Sequence, residues 1–376
     1  MIQFLSDNGF HVSPYLEKAE TLAELEELIS QIEDQRNSLD FLIDGAVIKV
    51  GALDQREKMG YTEKFPRWAV AYKFEAEEST TILREVTWEV GRTGKLTPSA
   101  TLDPVDFYGV TVRRATLNNW GDIQRKRLAI GALVWIRRSN DVIPEIMGRV
   151  GDPAPEEQPI DKPVLCPACA EPLTEVGAHL FCLNRAGCMP QAVARISHFG
   201  SREAMDIDGF SQKTASALVE NLSVRDPADL YHLTADQLQQ LKGFGQKKND
   251  TASKKVQNLL QSLEKSKDCA LDAFIYAVGI LGVGRKTART LADQFGTLEA
   301  LMAATEETLR TIPDIGEVVS QNIVEFFSFQ ENRIMIQRLL DVGVRPRVVE
   351  KPEGNLPLSG MTLVVTGTLP SLTRSQ

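Results

Sequence analysis

Apolar positions change their spacing twice along this chain. Between Thr21 and Gln35 they fall at Leu22, Leu25, Leu28, Ile29 and Ile32, which predicts an amphipathic helix. Thr21 reads as its N-cap, with Glu24 three residues later as the box partner. Alternation then takes over at Phe41–Val50, where Ile43, Ala46/Val47 and Ile48 surround Asp44-Gly45. A second strand is predicted at Phe65–Glu75, with Trp68, Val70, Tyr72 and Phe74 on one face and Lys73 on the other. Five shorter strands follow at Arg84–Val90, Leu96–Leu102, Val110–Arg114, Leu133–Arg138 and Glu145–Val150, with Gly-rich turns between them. That density predicts a small barrel. From residue 200 to 345 helical spacing returns.

The helical region repeats itself. Ile207-Asp-Gly209-Phe-Ser211, Leu241-Lys-Gly243-Phe-Gly245, Ile280-Leu-Gly282-Val-Gly284 and Ile312-Pro-Asp314-Ile-Gly316 align, with third positions 34, 39 and 32 residues apart. A repeat of this length outweighs local propensity in deciding the fold. A Gly-x-Gly turn feeding a helix brings backbone N–H groups together at the positive end of the helix dipole, where a phosphate fits. Basic residues follow at once: Lys213, Lys247/Lys248 and Arg285/Lys286. The alternative is an ordinary helix–helix turn with a Gly cap; two full Gly-x-Gly copies and two near-copies favour phosphate contact. Asp314 stands where the others have glycine, which marks the fourth copy as the weakest phosphate binder.

Composition leaves several classes out. With 376 residues the chain is too long for one core, and no apolar run reaches the roughly 18 residues of a membrane span. The net charge of −9 is unevenly spread. Residues 1–60 hold 12 acids and 5 bases, whereas 81–150 hold 11 bases and 7 acids. A nucleic acid responds to the local field within about a Debye length, roughly 8–10 Å, so the acidic total does not exclude one. The barrel's Arg92, Lys95, Arg113, Arg114, Arg137 and Arg138 lie in or beside strands, facing a backbone groove or merely solvent.

Four of the five cysteines, Cys166, Cys169, Cys182 and Cys188, fall within 23 residues as C-x2-C-x12-C-x5-C. That spacing suits one closed, structural Zn²⁺ site, against two disulfides in a secreted chain. His11, His179, His198 and His232 are scattered, which argues against a zinc-dependent nuclease. Lys49 ends an apolar strand and Lys73 lies inside an aromatic one. Each is either an outward residue or, with Asp44 and Arg36 nearby, part of one phosphate-binding pocket.

Ile43-Asp-Gly-Ala-Val-Ile-Lys-Val50 and Pro66-Arg-Trp-Ala-Val-Ala-Tyr-Lys-Phe74 resemble two nucleotidyltransferase motifs of bacterial NAD-dependent DNA ligases. Val90-Gly-Arg-Thr-Gly94 with Leu96-Thr-Pro98, and Arg137-Arg-Ser-Asn-Asp-Val-Ile-Pro144, resemble that family's oligonucleotide-binding barrel. The cysteines, the hairpins and Leu358-Ser-Gly-Met-Thr-Leu-Val-Val-Thr-Gly367 continue in the family's order.

The resemblance implies a multidomain α+β chain. Its parts would be 1–75, a portion of the adenylation (nucleotidyltransferase) domain; 76–150, an OB-fold; 151–163, a linker; and 164–190, a four-cysteine zinc finger. A helix-hairpin-helix domain at 191–345, a linker at 346–357 and a BRCT start at 358–376 would follow. A whole BRCT domain needs about 80 residues. The implied enzyme seals 3′-hydroxyl/5′-phosphate nicks through lysyl-AMP and DNA-adenylate intermediates in replication and repair, using NAD and Mg²⁺. Its implied partner is nicked double-stranded DNA, its state monomeric and its place the bacterial cytoplasm.

By the same resemblance Lys49, Lys73, Arg36 and Asp44 bind the nucleotide and its phosphates. Arg92, Gly209, Gly243, Gly245, Gly282, Gly284 and Lys286 contact DNA, and the four cysteines hold zinc. The family's Lys-x-Asp-Gly tetrapeptide is absent from this sequence. Its absence implies a chain that cannot adenylate itself, or, alternatively, a stand-alone DNA-binding protein without chemistry.

Overall fold

The computed structural model describes residues 2–348, except 14–15, 40, 42, 63–64, 75–77, 108–109, 140–142, 186 and 246–252. The Lys247/Lys248 pair, most of the stretch read as a second linker and the closing stretch read as a BRCT start therefore lie outside the described residues. The chain divides into two compact units, Met1–Cys188 and Met189–Gln376.

In the first unit the periodic segment becomes the helix Leu22–Asp34, and the Thr21 hydroxyl accepts the Glu24 N–H at 3.2 Å. Glu24 closes the start differently from the expected box: its carboxylate accepts the N–H of Glu20, at 2.8 Å, not that of Thr21. The two predicted strands shorten to β1 (Gly45–Lys49) and β2 (Ala69–Lys73), an antiparallel pair with Gly45 opposite Lys73 and Lys49 opposite Ala69. Gly45 is demanded by this pairing, since a Cβ there would lie 2.2 Å from the Tyr72 carbonyl oxygen. A seven-residue helix, Leu53–Met59, joins them; it has no buried residue and hence no stripe to betray it in the sequence.

The barrel closes in the order β3 (Glu78–Val90), β4 (Leu96–Phe107), β5 (Val110–Thr116), β8 (Ile143–Arg149), β7 (Leu133–Ser139) and back to β3. All pairs are antiparallel except β5 with β8, where Thr116 faces Glu145. The five strands fall where alternation placed them, but β3 and β4 run to 13 and 12 residues. Register shifts at Leu83/Glu85 and Thr101/Val105 let these long strands bend round the barrel. Leu83, Ala100, Phe107, Val134, Ile136 and Ile146 fill it without exposure.

The short helix Trp120–Arg125 intervenes between β5 and β7, with Asn119 accepting the Asp122 N–H at 2.9 Å. Asp122 is buried and held by Arg125 and, at 2.7 Å, by Lys126. The Asn118 amide donates to both Asp122 and Glu145, tying this helix to β8.

The stretch read as a linker is fastened to the barrel. β9 (Gln158–Pro159) pairs with β6 (Ala129–Ile130). The Arg149 guanidinium meets Glu157 at 2.5 Å and also donates to the carbonyls of Arg127, Gly151 and Asp152. Arg149's hydrogen bond holds the Glu157 carboxyl below its ordinary range. Four prolines and no periodicity gave no sign of these long-range ties. Beyond them β10 (Leu173–Val176) and β11 (His179–Cys182) form an antiparallel ribbon.

The second unit is helical around a single core of residues such as Ile196, Phe199, Leu218, Leu230, Phe274 and Leu291. β12 (Asp268–Ala270) pairs in parallel with β13 (Arg345–Arg347), which secures the end of the last helix, Gln330–Asp341. No helix among the described residues is long and apolar enough to cross a membrane.

Candidate nucleic-acid interface

The four hairpins share one turn. The N–H of Phe210, Phe244, Val283 and Ile315 donates to the carbonyl of Ile207, Leu241, Ile280 and Ile312, at 3.1 to 3.2 Å. The first residue of every turn is buried, which roots each hairpin in the core. The third residue has positive φ in all four: Gly209 at 70°, Gly243 at 88°, Gly282 at 81° and Asp314 at 66°. Glycine reaches that region at no steric cost, and aspartate is among the few other residues that tolerate it. The repeat is therefore structural first: the third position is fixed by the turn.

The fifth position is a different matter. Ser211, Gly284 and Gly316 are N-caps of the helices Gln212–Asn221, Arg285–Phe295 and Glu317–Ser328. Gly284 and Gly316 have φ of −89° and −85°, open to any residue, and a Cβ on either would meet nothing within 4 Å. Neither folding nor packing requires glycine there.

The second hairpin departs from the others. Gly245 has φ of +83°, and the following helix, Lys254–Ser266, starts only at its N-cap Ser253. The Ser253 hydroxyl donates to the Phe244 carbonyl, and Lys255 donates to that of Gly243 at 3.0 Å while lying over the Phe244 ring. Among the described residues, Lys255 thus reaches back to this turn.

Of the flanking basic groups, Lys286 reaches across to Asp314 of the fourth hairpin at 2.8 Å. Lys286 in turn keeps the Asp314 carboxyl below its ordinary range. Arg285 donates to the Glu203 carbonyl at 2.6 Å and lies beside the Tyr276 ring.

On the barrel, Arg92 sits in the Gly91–Lys95 turn between β3 and β4, half-buried. Arg113 and Arg114 on β5 are exposed. Arg137 turns partly inward, its Nε buried without a hydrogen-bond partner among the described residues. Arg84 is engaged by Asp103 at 2.6 Å.

Lys49 and Lys73 lie on one face of the β1–β2 pair, because cross-strand partners share a face and Lys49 is four residues from Gly45. They stand at opposite ends of it, about 13 Å apart by strand rise. Both are exposed, and Lys73 pairs with Asp44. That hydrogen bond, with Lys73's charge and Arg36's, keeps the Asp44 carboxyl low. Arg36 lies over the Phe74 ring, 5.9 Å from its centre. The structure therefore gathers Arg36, Asp44 and Lys73 at one end of the ribbon and leaves Lys49 at the other. On the face that carries Trp68, Val70, Tyr72 and Phe74, Trp68 is half-buried, Val70 and Tyr72 are exposed and Phe74 is buried.

The cysteines converge. All four Sγ atoms lie within 4.8 Å of one another, with Cys166–Cys188 at 4.0 Å and Cys169–Cys182 at 3.6 Å. A tetrahedral ion with metal–sulfur bonds of about 2.3 Å needs sulfurs about 3.8 Å apart, so the set fits one ion and leaves no open position. Burial pushes the Cys182 thiol up to about 12. A bound cation would reverse that preference by stabilising thiolate.

Leu96 of β4 forms one buried cluster with Cys166, Leu180, Cys182 and Cys188, and Trp88 and Trp120 pack against it. Gly121 approaches Ala178 so closely that a Cβ would lie 2.7 Å from the alanine's own. His179 Nε2 is 3.5 Å from Lys95 Nζ, and burial together with that ammonium lowers the imidazole's pKa. The ribbon is part of the barrel's packing.

Comparison with known families matches residues 1–77 to the NAD-dependent DNA ligase adenylation domain and 80–158 to the NAD-dependent DNA ligase OB-fold domain. Residues 201–251 match a SAM-like helix-hairpin-helix tandem, and 273–336 a helix-hairpin-helix motif. The chain is 50% identical over all 376 residues to proteins named DNA ligase from Alkaliphilus oremlandii and Alkaliphilus metalliredigens. It is 48% identical over 375 residues to one from Clostridium perfringens. In each case it spans 56% of the relative's length, about half of those proteins.

Proposed function

As this chain belongs to the NAD-dependent DNA ligase family, we propose that it supplies the DNA-gripping part of a nick-sealing enzyme. The observation that carries this is the pair of N-cap glycines, Gly284 and Gly316, at which neither the backbone angle nor any neighbour among the described residues requires glycine. A side chain there would stand between the helix N-terminus and a phosphate, and glycine removes it. Backbone contacts of this kind hold a duplex without reading its sequence.

In this reading Gly209, Gly243, Gly245, Gly282, Gly284 and Lys286 line the hairpin grip, and Arg92 contacts the duplex from the barrel. Arg36, Asp44, Lys49 and Lys73 belong to the nucleotide pocket. Phosphoryl transfer is mainly positioning and charge stabilisation, so the lysines neutralise phosphate oxygens. When bound, NAD supplies the AMP group, and Mg²⁺ screens the phosphates. The four cysteines hold one structural zinc. The partner is nicked double-stranded DNA, met by a monomer in the bacterial cytoplasm during replication and repair. Without a Lys-x-Asp-Gly lysine this chain by itself does not form lysyl-AMP.

The test is binding to a nicked duplex and to the same duplex unbroken, across a salt series. Preference for the nick with a steep salt slope is expected. Equal, weak binding to both would refute the reading. A covalent AMP adduct after incubation with NAD would overturn the statement about self-adenylation.

A further inference from the structure

The cysteine cluster and the Arg92 turn are joined by the backbone of one residue. Cys182 places its Sγ in the cluster, and its N–H donates to the carbonyl of Gly94 at 2.8 Å. One residue earlier Phe181 bridges Lys95 in antiparallel fashion, so β11 continues the barrel's sheet at the tip of the β3–β4 connection. That tip is tight: Gly91 N–H donates to the Lys95 carbonyl at 2.9 Å, Gly94 N–H to the Gly91 carbonyl at 3.0 Å, and Gly94 sits at φ +80°. Directly after it Leu96, 1% exposed, belongs to the same buried cluster as Cys166, Leu180, Cys182 and Cys188. The far end of the ribbon is pinned independently, with Gly121 N–H donating to the Ala178 carbonyl at 3.1 Å.

We propose that metal bound at Cys166, Cys169, Cys182 and Cys188 holds the Gly91–Lys95 turn in shape and so presents Arg92; the cluster is a positioning device for the barrel's DNA contact. Without the ion, Cys182 loses its anchor, and with it go the Gly94 bond and the wall on which Leu96 packs. The DNA side of the proposal rests on Arg92 contacting DNA as read above. Because linkage is reciprocal, DNA held by Arg92 must tighten the metal by the factor by which the metal tightens DNA.

The experiment uses the whole chain loaded with zinc and a nicked duplex, with DNA binding followed by anisotropy in the same samples. Zinc affinity is measured by equilibrium competition with a chromophoric chelator, with and without DNA, in the wild type and in Arg92→Ala. Affinity is expected to rise about fivefold with DNA in the wild type and not at all in Arg92→Ala. In parallel, amide exchange of Gly91, Gly94 and Cys182 is expected to accelerate at least about tenfold after zinc is stripped, with Val112 and Ala115 in β5 unchanged.

Unchanged turn amides beside an intact β5 would overturn the proposal, as would DNA that binds without tightening zinc. Should stripping open the whole barrel, the zinc affinities decide alone. Equal tightening in Arg92→Ala removes Arg92 from the coupling and overturns the proposal. Failure of DNA to bind at all defeats the proposed function instead.

Discussion

The barrel and the hairpin array offer a polyanion two different surfaces. On the barrel the positive charge is carried by side chains: Arg113 and Arg114 stand exposed on β5 and Arg92 rides on a turn. In the array the prominent cation is already engaged, Lys286 by Asp314, while backbone at Gly284 and Gly316 lies open. A side-chain surface can be weakened one charge at a time. A backbone surface depends on dihedral angles and on what glycine leaves out.

The strongest way to separate the two regions is to remove the metal. The cysteines pack against Leu96 and Trp88, so chelation should lower the melting point of the Met1–Cys188 unit by more than about 10 °C, with the array unmoved. Hydrogen exchange resolved by segment during heating would detect an equal loss in both and so break the contrast.

Next come two glycines two residues apart. Gly282→Ala puts a side chain at φ +81°, which should cost about 1–2 kcal/mol of array stability in denaturant titration. Gly284→Ala, at φ −89° with nothing within 4 Å of the added Cβ, should change stability by less than about 0.5 kcal/mol. It should nevertheless weaken DNA binding about tenfold if its N–H meets a phosphate. Unchanged affinity would reduce the hairpins to packing turns.

A smaller effect is expected on the barrel. Arg113→Ala should leave folding intact and reduce the salt slope of DNA binding by about 0.9, the share of one phosphate contact. A slope that stays put would place β5 away from the duplex.

The smallest is a pH effect confined to the array. Burial works to raise the Asp229 carboxyl, but N–H donors of Arg225 and Asp226 and the Arg338 guanidinium prevail and hold it low. A carboxyl held below its unfolded value near 3.9 contributes stability above that value and loses it as pH falls through the folded one. The array's melting point should therefore drop below about pH 4, and Arg338→Gln should make that drop shallower. Asp226, pushed up by its burial, works in the opposite sense, which keeps the net change small.

How well each region could be read from sequence follows from the range of its interactions. The five barrel strands, the Thr21-capped helix and the four turns were legible because alternation, caps and glycine act within a few residues. The helix Trp120–Arg125 was not, since six residues give too few turns for a period to emerge. Nor was the fastening of 151–163, which depends on Arg149 meeting Glu157 and on β6 meeting β9. Among site residues, the cysteine spacing predicted a cluster that the fold brings together. The lysine strands left open whether Lys49 and Lys73 point outward or share one pocket, and only the pairing register puts them on one face, at its two ends. That Asp314 occupies the glycine position was plain, whereas its hold on Lys286 needed two hairpins placed side by side.

The strand order of the barrel carries a consequence for how the molecule forms. β3 pairs with β4 close in the chain but also with β7, where Ile82 meets Leu133, and closure waits for β8 to lie beside β5. Each hairpin turn, by contrast, is complete within four residues. During synthesis the barrel's first three strands must wait, unclosed, until β7 and β8 have emerged, whereas each hairpin can form as it appears. Non-local pairing folds slowly, so the N-terminal unit, though made first, should be the later of the two to mature.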